Sequence, residues 1–581
     1  MTSGVASALD EVQFGLVGNN KDLRSTLSDA SLVVDARRSG QTATSEIFAA
    51  ALSDYARLLD ALYAEGYYGG VISIKVDGRE AADIPLLRTP ASISTVRIVV
   101  DPGPRFRFGD ARVGPLAQGT ELPEGFRSGE PALAPLVQSS TQTAGDAWRS
   151  AGYAKVDVAG ERITADHRTS TLDAVVGLEP GPVVYFGKLV QRTESRVRAS
   201  AIKRIAGLPE GEKFSPEVAE RVAERLRRTG AFASVTLREA EELGPGNSMD
   251  MYLNVVDAKR RRLGVGAEFS SLEGLTLTSF WLHRNIFGGA ERLRFDAEIS
   301  NLGGSYGTDY FLGGRLDVPA VIGAETNAFV YGEIEHLDEP TYLSNRVEFG
   351  VGLARRFGDR IETEIALAYT YSETEDDLGD RTFSYLSLPM KASYDTRDNA
   401  LDATEGFYVQ IEPTPFFGLS DDSGSGLKTY ADARAYYGFG EDNRVVLAGR
   451  LQFGSITGAE ISEIHPDYLF FSGGSGTVRG QPYQSLTVTT NGVESGGRSF
   501  LGLSAEVRTR ITDNIGAVVF ADAGYIGAED FYDGSGEWHS GAGLGVRYLA
   551  GFGPIRLDVA FPVDGDTGEG VQVYVGIGQA F

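Results

Sequence analysis

The stretch FLGLSAEVRTRI, Phe500–Ile511, sets two unlike faces against each other. Leu501, Leu503, Ala505, Val507 and Ile511 lie on one face. Gly502, Ser504, Glu506, Arg508 and Arg510 lie on the other, because successive side chains of a strand point to opposite sides. RVEFGVGLARRF alternates likewise, with Val347, Phe349, Val351 and Leu353 against Arg346, Glu348, Gly350 and Gly352. So does PIRLDVAF, with Ile555, Leu557, Val559 and Phe561 against Arg556, Asp558 and Ala560. Segments of about 10 residues that are apolar on one side and polar on the other mark a transmembrane β-barrel. Sixteen of them follow one another, from 264–272 through 382–395 and 498–511 to 570–581. An even number suits a barrel, and closure removes the unpaired edges that lipid cannot satisfy. A soluble sandwich or propeller is disfavoured, because the segments carry no blade repeat.

Composition changes where the alternation begins. The chain has 581 residues, no Cys and a net charge of −26. Residues 1–260 hold 31 Lys+Arg, 34 Asp+Glu and 16 aromatics; residues 261–581 hold 23, 46 and 42. The N-terminal part therefore has the make-up of an ordinary soluble protein, and the C-terminal part is acidic and aromatic-rich. No apolar run approaches the roughly 18 residues of a transmembrane helix. Zero Cys excludes a disulfide scaffold and any thiolate metal site. The acidic balance argues against nucleic acid as a partner, which needs clustered Lys and Arg. The start, MTSGVASALDEVQF, lacks a basic n-region and an apolar h-region. A barrel implies export, so the expectation is a signal peptide removed before this numbering begins.

The first 260 residues repeat themselves. PGPRFRFG at Pro102–Gly109 returns as PGPVVYFG at Pro180–Gly187, 78 residues later. A second marker, a helix ending at Gly followed by an aromatic and a strand, occurs at Gly66, Gly152 and Gly230. In the first unit Ser45 is placed to cap a helix whose Phe48, Leu52, Tyr55, Leu59 and Leu62 form one apolar face. In the third, Ser215 caps, Pro216 opens the helix, and Val218, Val222 and Leu226 line one side. The second unit's helix is placed at Leu136–Ala151. Each unit reads strand–helix–helix–strand–strand, an α+β module. The fold expected is thus α+β plus all-β: modules at 10–102, 103–181 and 182–259, then a sixteen-stranded antiparallel barrel at 263–581.

One segment, 456–497, is far longer than a hairpin loop, and long loops in compact domains are functional or disordered. It contains FFSGGSGTVRGQPYQSL. There GGSGTVRG, Gly473–Gly480, resembles the hallmark of the outer-membrane assembly-factor superfamily, which comprises the BamA and TamA group and the two-partner secretion transporters. Phe520-Ala521-Asp522-Ala523-Gly524 resembles that family's FxDxG motif, and Tyr394–Asn399 with Glu405-Gly406 its mid-barrel segment. The terminal Phe581 and the N-terminal modules, similar to POTRA domains, agree. Two positions depart from the pattern: Gln481 follows VRG where the family has an aromatic, and Gln579 replaces a penultimate hydrophobic. Tyr483 is the aromatic available nearby.

The resemblance implies a site. The long loop folds into the lumen, and Val478, Arg479 and Gly480 reach the inner wall. A guanidinium in a barrel needs a carboxylate, for which Arg has bidentate geometry. Glu506 and Asp522, on polar faces of their strands, are the partners the resemblance gives; from composition alone, a solvated loop arginine is an equal reading. Phe520, Asp522 and Gly524 form the FxDxG motif. The closing seam pairs Gly264–Leu272 with Val571–Phe581. Gly264, Gly266, Gly576, Gly578 and Phe581 mark it, the last strand's glycines permitting a kink. The resemblance implies lateral opening there, with an incoming strand added by β-augmentation. Glycines that merely relieve lumenal crowding are the alternative.

Enzyme chemistry finds no support. His167, His283, His336, His465 and His539 are scattered without metal spacing. No nucleophile elbow or P-loop occurs, and Asp564 and Asp566 read as a turn rather than a Ca²⁺ loop. No cofactor or metal is implied. Three modules point, by resemblance, to the TamA-like subgroup, five to BamA and two to two-partner transporters. The expectation is then an outer-membrane insertase for autotransporters and other unfolded barrel proteins. Its modules stand in the periplasm beside a TamB-like, inner-membrane-anchored partner, and lipid surrounds the barrel. The alternatives are a two-partner transporter exporting one exoprotein and, more remotely, a passive porin.

Overall fold

The computed structural model describes residues 9, 11–41, 43–85, 90–271, 273–304, 307–490, 492–551, 553–568 and 570–581. Asp10 and Leu272, expected ends of the first module and of the first barrel strand, lie outside the described residues. The chain forms two compact units. One holds the residues up to Lys188 with Pro209–Glu220 and Glu239–Met251; the other holds Leu189–Leu208, Arg221–Arg238 and Tyr252–Phe581.

Three small sheets precede the barrel. The first orders its strands Glu11–Leu16, Thr95–Asp101, Val71–Val76 and Arg79–Glu80; the second Arg107–Gly114, Thr171–Glu179 and Asp157–Asp166; the third Tyr185–Gln191, Ser248–Asp257 and Phe232–Glu239. The marker glycines Gly66, Gly152 and Gly230 all have positive φ, between 67° and 91°. Each thus ends its helix in a left-handed turn that a side chain would resist.

Local details differ from the pattern reading. The long helix starts at Thr44 with Ala43 at its N-cap, so Ser45 lies inside it and caps nothing. Its buried face runs through Ile47, Phe48, Ala51, Leu58 and Leu62, with Leu52 and Tyr55 only half-buried. The phase shifts because Asp54 is fully buried there. Its carboxylate accepts from the Ser31 hydroxyl and from the Leu32 and Val33 N–H groups, closing the start of the preceding helix, Leu32–Arg38. The second module has a single α-helix among its described residues, Ala134–Ser150, rather than two. In the third module, Ser215 Oγ accepts from Val218 N–H and Pro216 opens the helix, as expected.

The barrel strands are β1 Arg261–Ser270, β2 Gly274–Arg284, β3 Arg292–Leu302, β4 Asp309–Val318, β5 Thr326–Glu339, β6 Tyr342–Phe357, β7 Ile361–Asp376, β8 Gly379–Ser387 with Met390–Asp395, β9 Gly406–Gly418, β10 Gly426–Phe439, β11 Val445–Thr457, β12 Ser499–Arg510, β13 Ile515–Gly527, β14 Glu537–Ala550, β15 Gly553–Asp564 and β16 Gln572–Ile577. All neighbours are antiparallel and the sheet closes. The two halves of β8 keep one register with β7 and with β9. The break falls at Leu388-Pro389, opposite Pro413 and Pro415 of β9, where ladder donors are missing. The count is therefore sixteen.

Burial is inverted relative to a soluble sheet. Val347, Phe349, Val351, Leu367, Leu503, Val507, Leu557 and Val559 are exposed, whereas Asp432, Gln452, Glu506, Arg508, Asp522, Arg547 and Asp558 are buried. A belt of exposed aliphatic and aromatic side chains around a charged interior is the arrangement of a wall facing lipid.

Candidate functional site: the lumenal loop and the barrel seam

The segment expected at 456–497 starts two residues later, because β11 runs through Thr457; it folds inward and returns to β12. Ile464, Tyr468, Leu469, Phe470 and Leu486 build a small core against Phe383, Tyr385, Phe416, Ile456, Phe500 and Ile526 of the wall. His465 Nε2 lies 2.7 Å from Ser372 Oγ and 3.2 Å from Ser344 Oγ, both on inward faces of the wall. The loop is thus a packed piece of the lumen rather than a free excursion.

Its tip is Val478-Arg479-Gly480. Arg479 is 3 % exposed and donates from Nε to Asp522 Oδ2 at 2.7 Å, and from Nη2 to Asp522 Oδ1 at 3.0 Å. Nη1 donates to Glu506 Oε1 at 2.7 Å and lies 3.6 Å from Asp558 Oδ2. The guanidinium also covers the Phe520 ring, 3.6 Å from its centroid. The β period explains this: Phe520, Asp522 and Gly524 are two apart on β13 and share its inward face, while Glu506 is the register partner of Phe520 on β12. Arg508 pairs with Glu506 and Arg547 with Asp558, so three guanidiniums balance three carboxylates. Burying such charges is tolerable only when each is paired.

Backbone geometry fixes the tip as well. Gly480 has φ +96°, and a Cβ there would sit 2.6 Å from the Phe561 carbonyl oxygen. Its N–H donates to Tyr574 Oη at 3.1 Å and its carbonyl accepts from Gln572 Nε2 at 3.1 Å. Val478 is fully buried beside Gly524, whose missing side chain leaves room for it and for Ser472. Gln481, at the position that departs from the family pattern, donates to the Ser540 and Asp564 carbonyls at 2.8 and 3.0 Å. Tyr483 reaches Glu339 instead.

The seam between β1 and β16 is short. Among the described residues its ladder pairs only Phe269 with Val575 and Ser270 with Tyr574. Ser271 N–H extends it to the Val573 carbonyl at 3.0 Å. Arg261–Glu268 have no ladder partner on that side, and Leu263 and Val265 are 71 % and 82 % exposed. The loop braces the paired end, because Ser475 N–H donates to Glu273 in the β1–β2 turn at 3.1 Å while Gly480 holds β16. At the other end β16 stops at Ile577. Gly578, with φ +97°, turns the last residues inward.

The seam residues read from the sequence are therefore dispersed. Gly264 and Gly266 make room for Phe280 and Thr278 of β2, and Gly576 lies beside Arg556 and Glu268. Phe581 does not lie along β1 but is buried against Ala403, Tyr436, Val446 and Ala448. Sequence reasoning missed Asp558, Arg547, Tyr574 and Gln572. Asp558 stands on the polar face of PIRLDVAF, but alternation reports the face and not the partner. Gln579, noted only as a departure, accepts from Arg547 Nε at 2.8 Å.

Residues 285–581 match the Omp85 superfamily domain. The chain belongs to the Omp85 superfamily. Outer envelope protein 80, chloroplastic, of Arabidopsis thaliana is 24% identical over 409 residues, 64% of this chain and 53% of that protein. The outer membrane protein assembly factor BamA of Neisseria meningitidis serogroup B is 23% identical over 220 residues, 36% of this chain and 27% of that protein. The chain spans about half the length of the curated relatives from plants that it matches, 53% and 58%. In fold, it is similar to the crystal structure of BamA from Haemophilus ducreyi lacking POTRA domains 1–3, with a TM-score of 0.63 at 15% identity, over 81% of this chain and 100% of that one.

Proposed function

We propose that this chain inserts other β-barrel proteins into an outer membrane, and that an incoming strand is templated on the free edge of β1. The unpartnered run Arg261–Glu268 carries the reading. Alternate residues of a strand turn their N–H and C=O toward one neighbour. About half of this run's backbone groups thus face the seam, and each unsatisfied group in hydrocarbon costs several kcal/mol. A client strand that pairs there relieves that cost, so strand pairing and lipid burial supply the driving force without a nucleotide. The VRG clamp of Arg479 with Asp522 and Glu506 holds the loop that braces the far end of the seam.

The finer assignment is a TamA-like assembly factor acting on autotransporters with a TamB-like partner. The modules at 10–102, 103–181 and 182–259 are taken as POTRA domains on the periplasmic side, and 263–581 as the barrel. Three repeated sheets before the barrel support that assignment. Depleting the protein and quantifying the outer-membrane proteome tests it. Loss of several autotransporters or barrels, with others unchanged, is the expected result. An intact set of barrels with one exoprotein missing from the medium would replace this reading with that of a dedicated two-partner transporter.

A further inference from the structure

The loop clamp and the C-terminal tail share their arginines. Arg508 Nε donates to Glu506 Oε2 at 2.8 Å, and its Nη2 donates to the Phe581 carbonyl at 3.0 Å. Arg547 binds Asp558 through Nη2 at 3.3 Å and Gln579 Oε1 through Nε at 2.8 Å. Glu506 and Asp558 are also the carboxylates facing Arg479 Nη1. Two unbroken chains of ion pairs, each ending in a hydrogen bond to the tail, therefore join the loop tip to the tail. One runs Arg479–Glu506–Arg508–Phe581 and the other Arg479–Asp558–Arg547–Gln579. Every side chain between tip and tail is buried to 6 % exposure or less.

The tail is seated, not loose. Gly578 N–H donates to the Pro554 carbonyl at 2.7 Å, and Gln579 Nε2 to Asp402 Oδ1 at 2.9 Å. The Phe581 ring fills the pocket of Ala403, Tyr436, Val446 and Ala448. Residues held there are not available to lengthen β16 along β1.

We propose that Gly578–Phe581 is a latch, and that Arg508 and Arg547 are positioning residues coupling it to the loop clamp, so that docking of the tip and docking of the tail favour each other. When the tip leaves, Glu506 and Asp558 lose Arg479 and draw Arg508 and Arg547 into fuller pairing. Those guanidiniums then give up Phe581 and Gln579. A partly desolvated lumen makes the exchange strong, because charges there are weakly screened. Coupling of this kind is reciprocal by linkage. The latch rests on the seam reading above for its biological use, since it regulates how much of β16 stands beside β1.

The absence of Cys permits single-thiol probes in the full chain. Ala580→Cys reads the tail and Val478→Cys the loop tip, each through its rate of labelling by a water-soluble maleimide in detergent. Only protein that keeps a separate folded band on an unheated gel is scored. Arg479→Gln is expected to speed labelling of the tail thiol by at least about fivefold, the lower bound for typical coupling energies. Asp402→Ala, which removes the acceptor for Gln579 Nε2 and touches no clamp residue, is expected to speed labelling of the tip thiol as well. A tail thiol that reacts at the same rate with and without Arg479→Gln would overturn the coupling. So would Asp402→Ala if it frees the tail and leaves the tip protected. Neither assay uses a client protein, so their failure is distinct from failure of the insertion reading.

Discussion

The wall between β6 and β7 and the seam between β1 and β16 are made of the same kind of strand and closed in different ways. β6 and β7 pair over sixteen register positions. β1 and β16 pair over two. In the wall, backbone hydrogen bonds hold neighbours together and side chains only pack. At the seam the backbone contribution is nearly absent, and side chains hold what the ladder does not. Gly480 and Tyr574, Ser475 and Glu273, and the inward tail at Gly578 fix the strand ends from the lumenal side. Closure delegated to a few side chains is closure that a few changes release, whereas a sixteen-position ladder yields only to global unfolding.

The largest expected break in this comparison is Arg479→Glu. It puts a fourth carboxylate beside Glu506, Asp522 and Asp558, and removing one partner of a buried ion pair alone costs about 3–5 kcal/mol. The fraction of barrel that keeps its folded mobility on an unheated gel should fall sharply, with the wall strands of the surviving fraction unchanged. Gly480→Ala is expected to be milder, about 1–3 kcal/mol, the usual scale of local backbone strain. It should loosen the loop tip, read as faster proteolysis of residues 470–490, without lowering the melting temperature of the wall. Hydrogen exchange sharpens the comparison without any mutation. The seam-facing amides of Arg261–Glu268 should exchange well before the amides shared by β6 and β7, and equal protection would mean that the seam is closed in solution.

The smallest effect is expected outside the barrel, at Asp257. Burial pushes its carboxyl up, but the Ser195 hydroxyl and the Arg196 N–H and guanidinium outweigh that and hold it below the usual carboxylate range. A depressed folded value stabilises above the unfolded pKa of about 3.9 and loses that stabilisation as pH falls through the folded value. Asp257→Asn should therefore cost about 1 kcal/mol near neutrality, as for an ordinary hydrogen-bonded group, and less in acid, measured as a melting temperature against pH.

Much of the barrel is legible in the sequence because period-two alternation between aliphatic and charged residues has few other physical causes. FLGLSAEVRTRI places Glu506 and Arg508 inward and Val507 outward, and the structure does the same. Even β8 reads as one strand, because Pro389, Pro413 and Pro415 remove hydrogen bonds without shifting the side-chain period. What alternation does not carry is the length of a ladder. QVYVGIGQAF alternates through Gly578, yet the strand stops at Ile577 because the tail finds partners in Asp402, Tyr436 and Arg508, remote in sequence. The buried Asp54 defeated the helix phase for a similar reason, since its partners at Ser31–Val33 lie on another helix. At the clamp, Asp558 faces the lumen by pattern, but only the closed fold brings β15 beside β12 and β13 under one guanidinium.

The most direct test of the account is a disulfide across the seam. Phe269→Cys with Val575→Cys joins register partners in a chain that has no other thiol. Insertion of a small client barrel into liposomes is followed with the pair oxidised and then reduced. A client strand that extends along β1 past Glu268 must displace β16 from Phe269 and Ser270, so the account predicts that the oxidised protein, still folded, stops inserting the client and that reduction restores it. Insertion at the unmodified rate with the disulfide fully formed would contradict it.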